Sequence, residues 1–289
     1  MATAAQWLEG ARPRTLPAAV APVAAGTGAA AAVDGFEPVR ALLALVVALA
    51  LQVGVNYAND YSDGVRGTDA DRVGPLRLVG SGAAAPPAVK RAALLSFAVA
   101  GVAGLALALL AAWWLVLVGA ACLVAAWYYT GGRTPYGYRG LGEISVFVFF
   151  GLVATVGTTF VQAEQVTVAS VLAGVGCGAL SCAILVANNL RDRATDAVAG
   201  KQTLAVRLGD TGTRRLYVLL VATAYVAVVL AGFEHPWALL ALLTAALAFP
   251  PVAAVRSGAT GPALVPVLKA TGLCLLAYGV TLGIGLAVG

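Results

Sequence analysis

Long apolar runs alternate with short polar stretches along almost the whole chain. A helix needs about 20 apolar residues to cross a bilayer core, and the pattern predicts spans at 16–33, 40–59, 91–111, 113–130, 144–162, 168–189, 216–232, 237–255 and 264–287. The stretch from Ala92 to Tyr129 has no charge or proline, yet it is too long for one crossing. A break is therefore expected at Ala111, Ala112, Trp113 and Trp114, where a tryptophan pair suits the interface belt. The expected fold class is all-α: a polytopic membrane protein whose nine transmembrane helices form a single domain over residues 1–289.

Composition agrees with that reading. Hydrophobic residues make up 61% of 289 positions and charged ones 11%, against roughly 25% charge in a soluble domain, and the mean hydropathy is +0.90. The formal charge of +5 raises the question of nucleic acid, but no basic run with interleaved aromatics exists, so no nucleic-acid partner is expected. The basic residues fall instead in short loops, where they set topology. With nine helices and a cytoplasmic N terminus, Arg12, Arg14, Arg66, Arg72, Arg77, Lys90, Arg91, Arg133, Arg139, Arg191, Arg193, Lys201, Arg207, Arg214, Arg215, Arg256 and Lys269 all lie inside. Of the 18 Lys and Arg residues only Arg40 is then outside. The first apolar run is a full span with no small-residue cleavage site after it, so a multi-pass protein of the bacterial inner membrane is expected, lying in the lipid bilayer with its charged loops cytoplasmic. Cys122, Cys177, Cys182 and Cys274 are scattered through apolar spans without metal-ligand spacing and read as packing residues. The single histidine, His235, falls in a short loop on the opposite side, which excludes histidine-based catalysis.

The chemistry is concentrated at the ends of two apolar runs, in Asn56-Tyr-Ala-Asn59-Asp60-Tyr-Ser-Asp63 and Asn188-Asn189-Leu-Arg191-Asp192-Arg-Ala-Thr-Asp196. Spacings of three, four and seven residues place Asn56, Asn59, Asp60 and Asp63 on one helix face, and Asp192 and Asp196 share another. Carboxylates at a helix C-terminus oppose the macrodipole and are costly to desolvate, so a cation must compensate. For one motif alone, pairing with loop arginines would suffice. Two copies of the same amide-plus-carboxylate pattern, four spans apart and on one membrane side, point to a cation site across a shared cavity. Oxygen-only ligands suit Mg²⁺ or Mn²⁺, and Mg²⁺ binds through one or two carboxylates together with substrate phosphates. Arg66, Arg72, Arg77, Arg191, Arg193 and Lys201 are candidates to neutralise phosphate oxygens, Arg77 and Lys201 foremost. A diphosphate head at the rim and a polyprenyl tail along the helices would suit such a cavity.

Three strings carry a family likeness: NDYSDGVRGTDADRVGPLR from Asn59 to Arg77, YTGGRTPYGYRGLGE from Tyr129 to Glu143, and NNLRDRATDAVAGKQTLAVRLG from Asn188 to Gly209. In order and topological side they resemble the intramembrane aromatic prenyltransferases of the UbiA superfamily. Within it they are most similar to the branch that prenylates 1,4-dihydroxy-2-naphthoate on the way to menaquinone. The resemblance spans essentially the whole chain. It implies that Asn56, Asp60, Asp63, Asp192 and Asp196 serve the diphosphate and Mg²⁺, with Asp60, Asp63, Asp192 and Asp196 as metal ligands. Asn59, Asn188, Asn189, Arg77 and Lys201 would be further substrate contacts, and Asp69 and Asp71 possible supports.

It also implies transfer of a polyprenyl group from polyprenyl diphosphate to the naphthoate, with loss of CO₂ and diphosphate, by an electrophilic substitution that needs no covalent nucleophile. Tyr129, Tyr136, Tyr138, Phe147 and Phe149 are candidates to line the pocket and face the allylic cation, although helix packing explains the two phenylalanines equally well. The segment from Tyr129 to Glu143, with Arg133, Arg139 and Glu143, is the candidate acceptor loop, Arg133 offering a partner for the carboxylate. An ordinary re-entrant turn is the alternative there. No protein partner is expected. A transporter with paired aspartates is the alternative from another class, but the motif helices are uninterrupted at mid-membrane. The single motif of CDP-alcohol phosphotransferases is absent.

Overall fold

A computed structural model describes residues 2–67 and 76–289, and every regular element in it is helical. Asp69, Asp71 and Arg72 lie outside the described residues. We number the elements α1 (Ala4–Ala11), α2 (Pro17–Ala31), α3 (Pro38–Arg66), α4 (Pro86–Leu110), α5 (Leu115–Tyr128), α6 (Gly142–Ala163), α7 (Val168–Val198), α8 (Leu204–Ala231), α9 (Pro236–Arg256) and α10 (Gly261–Ala287). Among the described residues, seven of these (α3, α4 and α6–α10) are long and apolar enough to cross a membrane. Shorter apolar helices, α2 and α5, occupy the places of the other two expected spans. Helix α4 ends at Leu110 and α5 starts at Leu115, so the uncharged stretch breaks where its length requires.

Local chemistry explains the starts. Glu37 accepts the Arg40 amide at 2.9 Å ahead of Pro38 at the first position of α3, a proline needing no donor there. Thr167 and Ser170 cap α7 reciprocally, Oγ1 of Thr167 accepting from the Ser170 amide at 3.0 Å and Oγ of Ser170 from the Thr167 amide at 3.1 Å. Small residues then let backbones approach. A Cβ on Gly28 of α2 would lie 2.0 Å from the Gly283 carbonyl oxygen of α10, so at this crossing the two backbones approach only because both positions are glycine.

Three expected boundaries move. The pattern has the polar segments open long loops at about 60–90 and 191–215, but α3 continues helical to Arg66 and α7 to Val198. Polar residues in these last turns extend the helix beyond the apolar run that the hydrophobic pattern detects. Helix α8 likewise begins at Leu204, twelve residues ahead of the expected 216, with a kink at Gly209 (φ 68°), so the second polar loop contracts to 199–203. Both motifs consequently stand on helix ends.

The bundle has two main cores. Ala21, Ala25, Leu180, Tyr217, Val228, Leu275 and Tyr278 belong to one, built by α2 and α7–α10. Tyr57, Ala58, Leu78, Val89, Ala93 and Phe97 form the other, built by α3, α4 and the segment between them. A cavity of about 1400 Å³ is walled by α2–α7 and the start of α10. Within α6, residues Phe147–Val153 form a π-helical stretch that turns Phe149 and Phe150 to the cavity; such insertions recur at functional sites.

Candidate active site

The first motif occupies the last three turns of α3 and is held by residues from elsewhere in the chain. Asn56 donates from Nδ2 to the Ala11 carbonyl and to Thr15 Oγ1, both at 2.9 Å, and Gln52 donates to the same threonine at 3.0 Å. Thr130 donates its hydroxyl to Asn59 Oδ1 at 2.7 Å. Asp63, 4% exposed, accepts the Tyr138 hydroxyl on Oδ1 and faces Arg77 Nη2 at 3.6 Å from Oδ2. Arg66 donates to the carbonyls of Thr130 and Gly132. Asp60 turns away from the cavity: its Oδ2 accepts the Leu78 amide at 2.7 Å and its Oδ1 the Val79 amide at 3.0 Å.

The second motif, in the last turns of α7, finds most of its partners nearby in sequence. Arg191 grips Asp192 with both Nε and Nη2 at 2.7 Å and reaches Asn188 Oδ1 at 2.9 Å. Lys201, just past the helix end, lies 3.6 Å from Asp196. A further tie reaches α6: Asn189 donates to Glu143 Oε1 at 3.0 Å. Glu143 is buried within the bundle beneath Asn189 and does not line the cavity.

The segment between α5 and α6 bridges the two motifs. The Tyr138 hydroxyl holds Asp63 while the Tyr138 ring receives Lys201 Nζ at 4.6 Å and the Arg66 guanidinium at 5.6 Å. Its carbonyl accepts the Gln202 amide at 2.8 Å, and the Arg139 carbonyl accepts Arg207 Nη2 at 2.9 Å. Tyr136 donates to the Ala125 carbonyl at 2.8 Å and stands edge-on to Tyr129. Burial, with the Glu143 carboxylate nearby, pushes the Tyr129 phenol well above its usual range, and burial also raises Tyr136. Both remain un-ionised hydrogen-bonding groups.

One cavity therefore gathers Asn56, Asn59, Asp63, Arg77, Tyr129, Tyr136, Tyr138, Asn188, Asn189, Asp192, Asp196 and Lys201. Of the expected site residues, Asp60, Arg66, Arg133, Arg139, Glu143 and Arg193 do not line it; Arg133 is exposed on the connecting segment. Phe149 is at the wall and Phe147 is not. Sequence reasoning missed Thr15 and Thr130, which orient the motif asparagines, and the cavity-facing Arg12, Arg14 and Lys269. Their only sequence signal was proximity to an apolar run on the charged side.

The donor set fits a hard divalent cation in kind, being oxygen-only. Among the described residues, no three His, Cys, Asp or Glu side chains converge closely enough to hold a metal by themselves. The carboxylates are instead neutralised by Arg77, Arg191 and Lys201. That arrangement suits Mg²⁺ arriving with a phosphate ligand, since Mg²⁺ usually takes only one or two carboxylates from the protein.

Comparison with known proteins agrees with this geometry. The UbiA prenyltransferase family profile matches residues 19–263. The 1,4-dihydroxy-2-naphthoate octaprenyltransferase of Mycobacterium tuberculosis is 56% identical over 289 residues, covering 100% of this chain and 99% of that protein. Among solved structures, an apo UbiA homologue from Aeropyrum pernix superposes with a TM-score of 0.71 at 18% identity, covering 94% of this chain and 97% of that one. A UbiA homologue from Archaeoglobus fulgidus bound to GPP and Mg²⁺ does so with a TM-score of 0.69 at 15% identity, covering 98% of this chain and 100% of that one.

Proposed function

Because the chain belongs to the UbiA prenyltransferase family, we propose that it transfers a polyprenyl group from polyprenyl diphosphate to 1,4-dihydroxy-2-naphthoate, releasing CO₂ and diphosphate and yielding demethylmenaquinol for menaquinone synthesis. The observation that carries this reading is the full-length 56% identity to a relative named for that acceptor. The convergence of both Asp motifs on one cavity supports it independently.

In this reading Asp63, Asp192 and Asp196 bind the metal-diphosphate head. Mg²⁺ bound with the diphosphate supplies charge neutralisation of the leaving group, the chemistry a hard cation performs at phosphoryl oxygens. Arg77, Arg191 and Lys201, each already beside a motif acid, turn to phosphate oxygens when the head arrives, strengthening as charge builds on the departing oxygen. The carbon–oxygen bond breaks with its electron pair going to diphosphate, the electron-rich naphthoate ring attacks the allylic carbon, and its carboxylate then leaves as CO₂ so that the ring regains aromaticity. Tyr129, Tyr136, Tyr138 and Phe149 present rings at this end of the cavity, where their faces favour a carbocation and their bulk excludes water. Asn189, its amide turned to Glu143, presents its carbonyl oxygen as an acceptor for a naphthoate hydroxyl. Asn56, Asn59 and Asn188 complete the polar rim, and the apolar tail follows Leu105, Val116 and Val153 on α4–α6.

The nine apolar helices cross the bilayer as one domain of a bacterial inner membrane, with the N terminus and the site on the cytoplasmic face; the concentration of Lys and Arg on that side supports the orientation. The test is purified protein with Mg²⁺, a long polyprenyl diphosphate and either dihydroxynaphthoate or 4-hydroxybenzoate, the lipid product being weighed by mass spectrometry. Prenylated naphthoate with CO₂ release is the expected result. Product from 4-hydroxybenzoate alone would reassign the acceptor, and ion-coupled transport without any prenylated product would overturn the reading.

A further inference from the structure

Of the four motif carboxylates, Asp60, Asp63, Asp192 and Asp196, only Asp60 is absent from the cavity wall. It is 1% exposed, and its two oxygens are each taken by a backbone amide, Leu78 at 2.7 Å and Val79 at 3.0 Å. Those consecutive amides belong to the connection between α3 and α4, whose register is fixed further by two internal bonds. Ser81 donates its amide to the Arg77 carbonyl and Ala84 donates its own to Leu78, both at 2.9 Å. Leu78 itself is wholly buried, so close to Gly10 that a Cβ there would approach within 2.7 Å.

The consequence falls on the neighbouring side chain. Arg77 directly precedes the gripped pair, and its guanidinium reaches the cavity 3.6 Å from Asp63 Oδ2. A slip of one residue would carry the side chain along by as much as one Cα–Cα step, about 3.8 Å, enough to take that guanidinium out of the reach of Asp63. A carboxylate accepting two amides in a dry site is also a strong brace, because charge-assisted bonds are shorter and stronger than neutral ones.

We infer that Asp60 is a positioning residue that clamps the amides of Leu78 and Val79 so that Arg77 meets the diphosphate beside Asp63, and that Asp60 is not a metal ligand. The inference rests on the prenyl-transfer reading for the identity of the anion. The test titrates inorganic diphosphate into the purified full chain by calorimetry, without and with Mg²⁺, and measures prenyl transfer separately. Asp60→Ala and Arg77→Ala should each weaken metal-free diphosphate binding by about 10-fold or more, the range of a lost charged contact. The double variant should be no weaker than Asp60→Ala alone, since both act through one guanidinium. The factor by which Mg²⁺ strengthens binding should stay as in the wild type for Asp60→Ala and collapse for Asp63→Ala.

Loss of the Mg²⁺ enhancement in Asp60→Ala would make it a ligand and overturn the inference, as would multiplicative losses in the double variant. Should Asp60→Ala not fold, Asp60→Asn carries the same comparison: its single acceptor oxygen cannot serve both amides, so weaker metal-free binding with intact Mg²⁺ enhancement is expected, and wild-type behaviour in both would overturn the clamp. A wild type that binds diphosphate yet prenylates nothing would remove the proposed reaction, while the binding comparison among the variants would still decide the role of Asp60. One that binds no diphosphate under either condition would overturn both.

Discussion

The two Asp motifs share a pattern of residues and divide the work of the site between them. The first is stitched into the rest of the protein: Asn56 to the end of α1 and Thr15, Asn59 to Thr130, Asp60 to the amides of Leu78 and Val79, Asp63 to Tyr138 and Arg77. Among the described residues, the partners seen for the second lie nearby in sequence, with Asp192 held by its neighbour Arg191 and Asp196 by Lys201 five residues on. Spacing thus decides which face a side chain occupies, whereas the partner it meets decides what it does. Among the described residues, the first motif ties three segments around the cavity, while the second keeps its acids at the cavity beside Arg191 and Lys201 and reaches α6 through Asn189.

Metal removal should affect both motifs alike and affects activity most. EDTA should abolish prenyl transfer, with Mg²⁺ or Mn²⁺ restoring it, because the substrate head needs a hard cation. The melting temperature of the substrate-free protein should not move with EDTA, since arginine, lysine and tyrosine already partner the acids. A large EDTA-induced drop in melting temperature, followed by fluorimetry, would mean a resident structural metal.

Next in size are the acids themselves, where the motifs should part. Asp63→Ala and Asp192→Ala should each lower turnover by about a hundredfold or more, the scale of losing one preorganised charge contact at a reacting centre. In thermal unfolding Asp63→Ala should be the worse variant. Both substitutions strip a buried arginine of its carboxylate, which is costly, and among the described residues Asp63→Ala also releases the hydroxyl of Tyr138 from another segment. That extra bond to a charged group is worth about 1.5–3 kcal/mol. Equal destabilisation of the two variants would erase the asymmetry.

Much of this arrangement was legible in the residue pattern. The apolar runs located every long helix; length required a break in the run from Ala92 to Tyr129, and the tryptophan pair placed it just after Leu110. The motif spacings placed Asp63, Asp192 and Asp196 on a common cavity. The same spacings put Asp60 beside Asp63, yet three residues fall short of a full turn by about 60°, and that offset turns Asp60 toward the α3–α4 connection. Nothing local in the sequence distinguishes the two acids, since the deciding partners, Leu78 and Val79, are apolar residues acting through their backbone. Thr130 was hidden for a related reason: a single hydroxyl bonded 71 positions away leaves no periodic trace. Helix ends were misplaced because polar residues can continue a helix past the membrane core without any hydrophobic signal.

Tyr138 tests the bridge with a smaller expected effect. Tyr138→Phe removes the hydroxyl from Asp63 and keeps the ring beneath Lys201, so it should loosen the first motif while sparing the second. About 1.5–3 kcal/mol of stability is at stake, together with a fall in turnover smaller than that of Asp63→Ala. Tyr138→Ala would also remove the ring contact of Lys201 and should raise the KM for polyprenyl diphosphate further. If Phe and Ala variants behaved identically in steady-state kinetics, the ring would carry no part of the link to the second motif.

The smallest effect is expected on the segment that joins the motifs, and it separates a charge near the site from a charge in it. Sequence position made Arg133 the natural partner for the naphthoate carboxylate, but the side chain is exposed and outside the cavity wall, whereas Lys201 is at the wall, 3.6 Å from Asp196. An exposed substitution away from buried partners usually changes stability by no more than about 0.5 kcal/mol. Arg133→Ala should accordingly leave both substrates' KM values and the melting temperature close to wild type. Lys201→Ala should weaken polyprenyl diphosphate by about tenfold, one charge-assisted contact, with little change for the acceptor. Varying each substrate in turn distinguishes the outcomes. A selective rise in the naphthoate KM for Arg133→Ala would show that this connection folds inward over bound acceptor, and would move the recognition of its carboxylate from the cavity wall to the segment between α5 and α6.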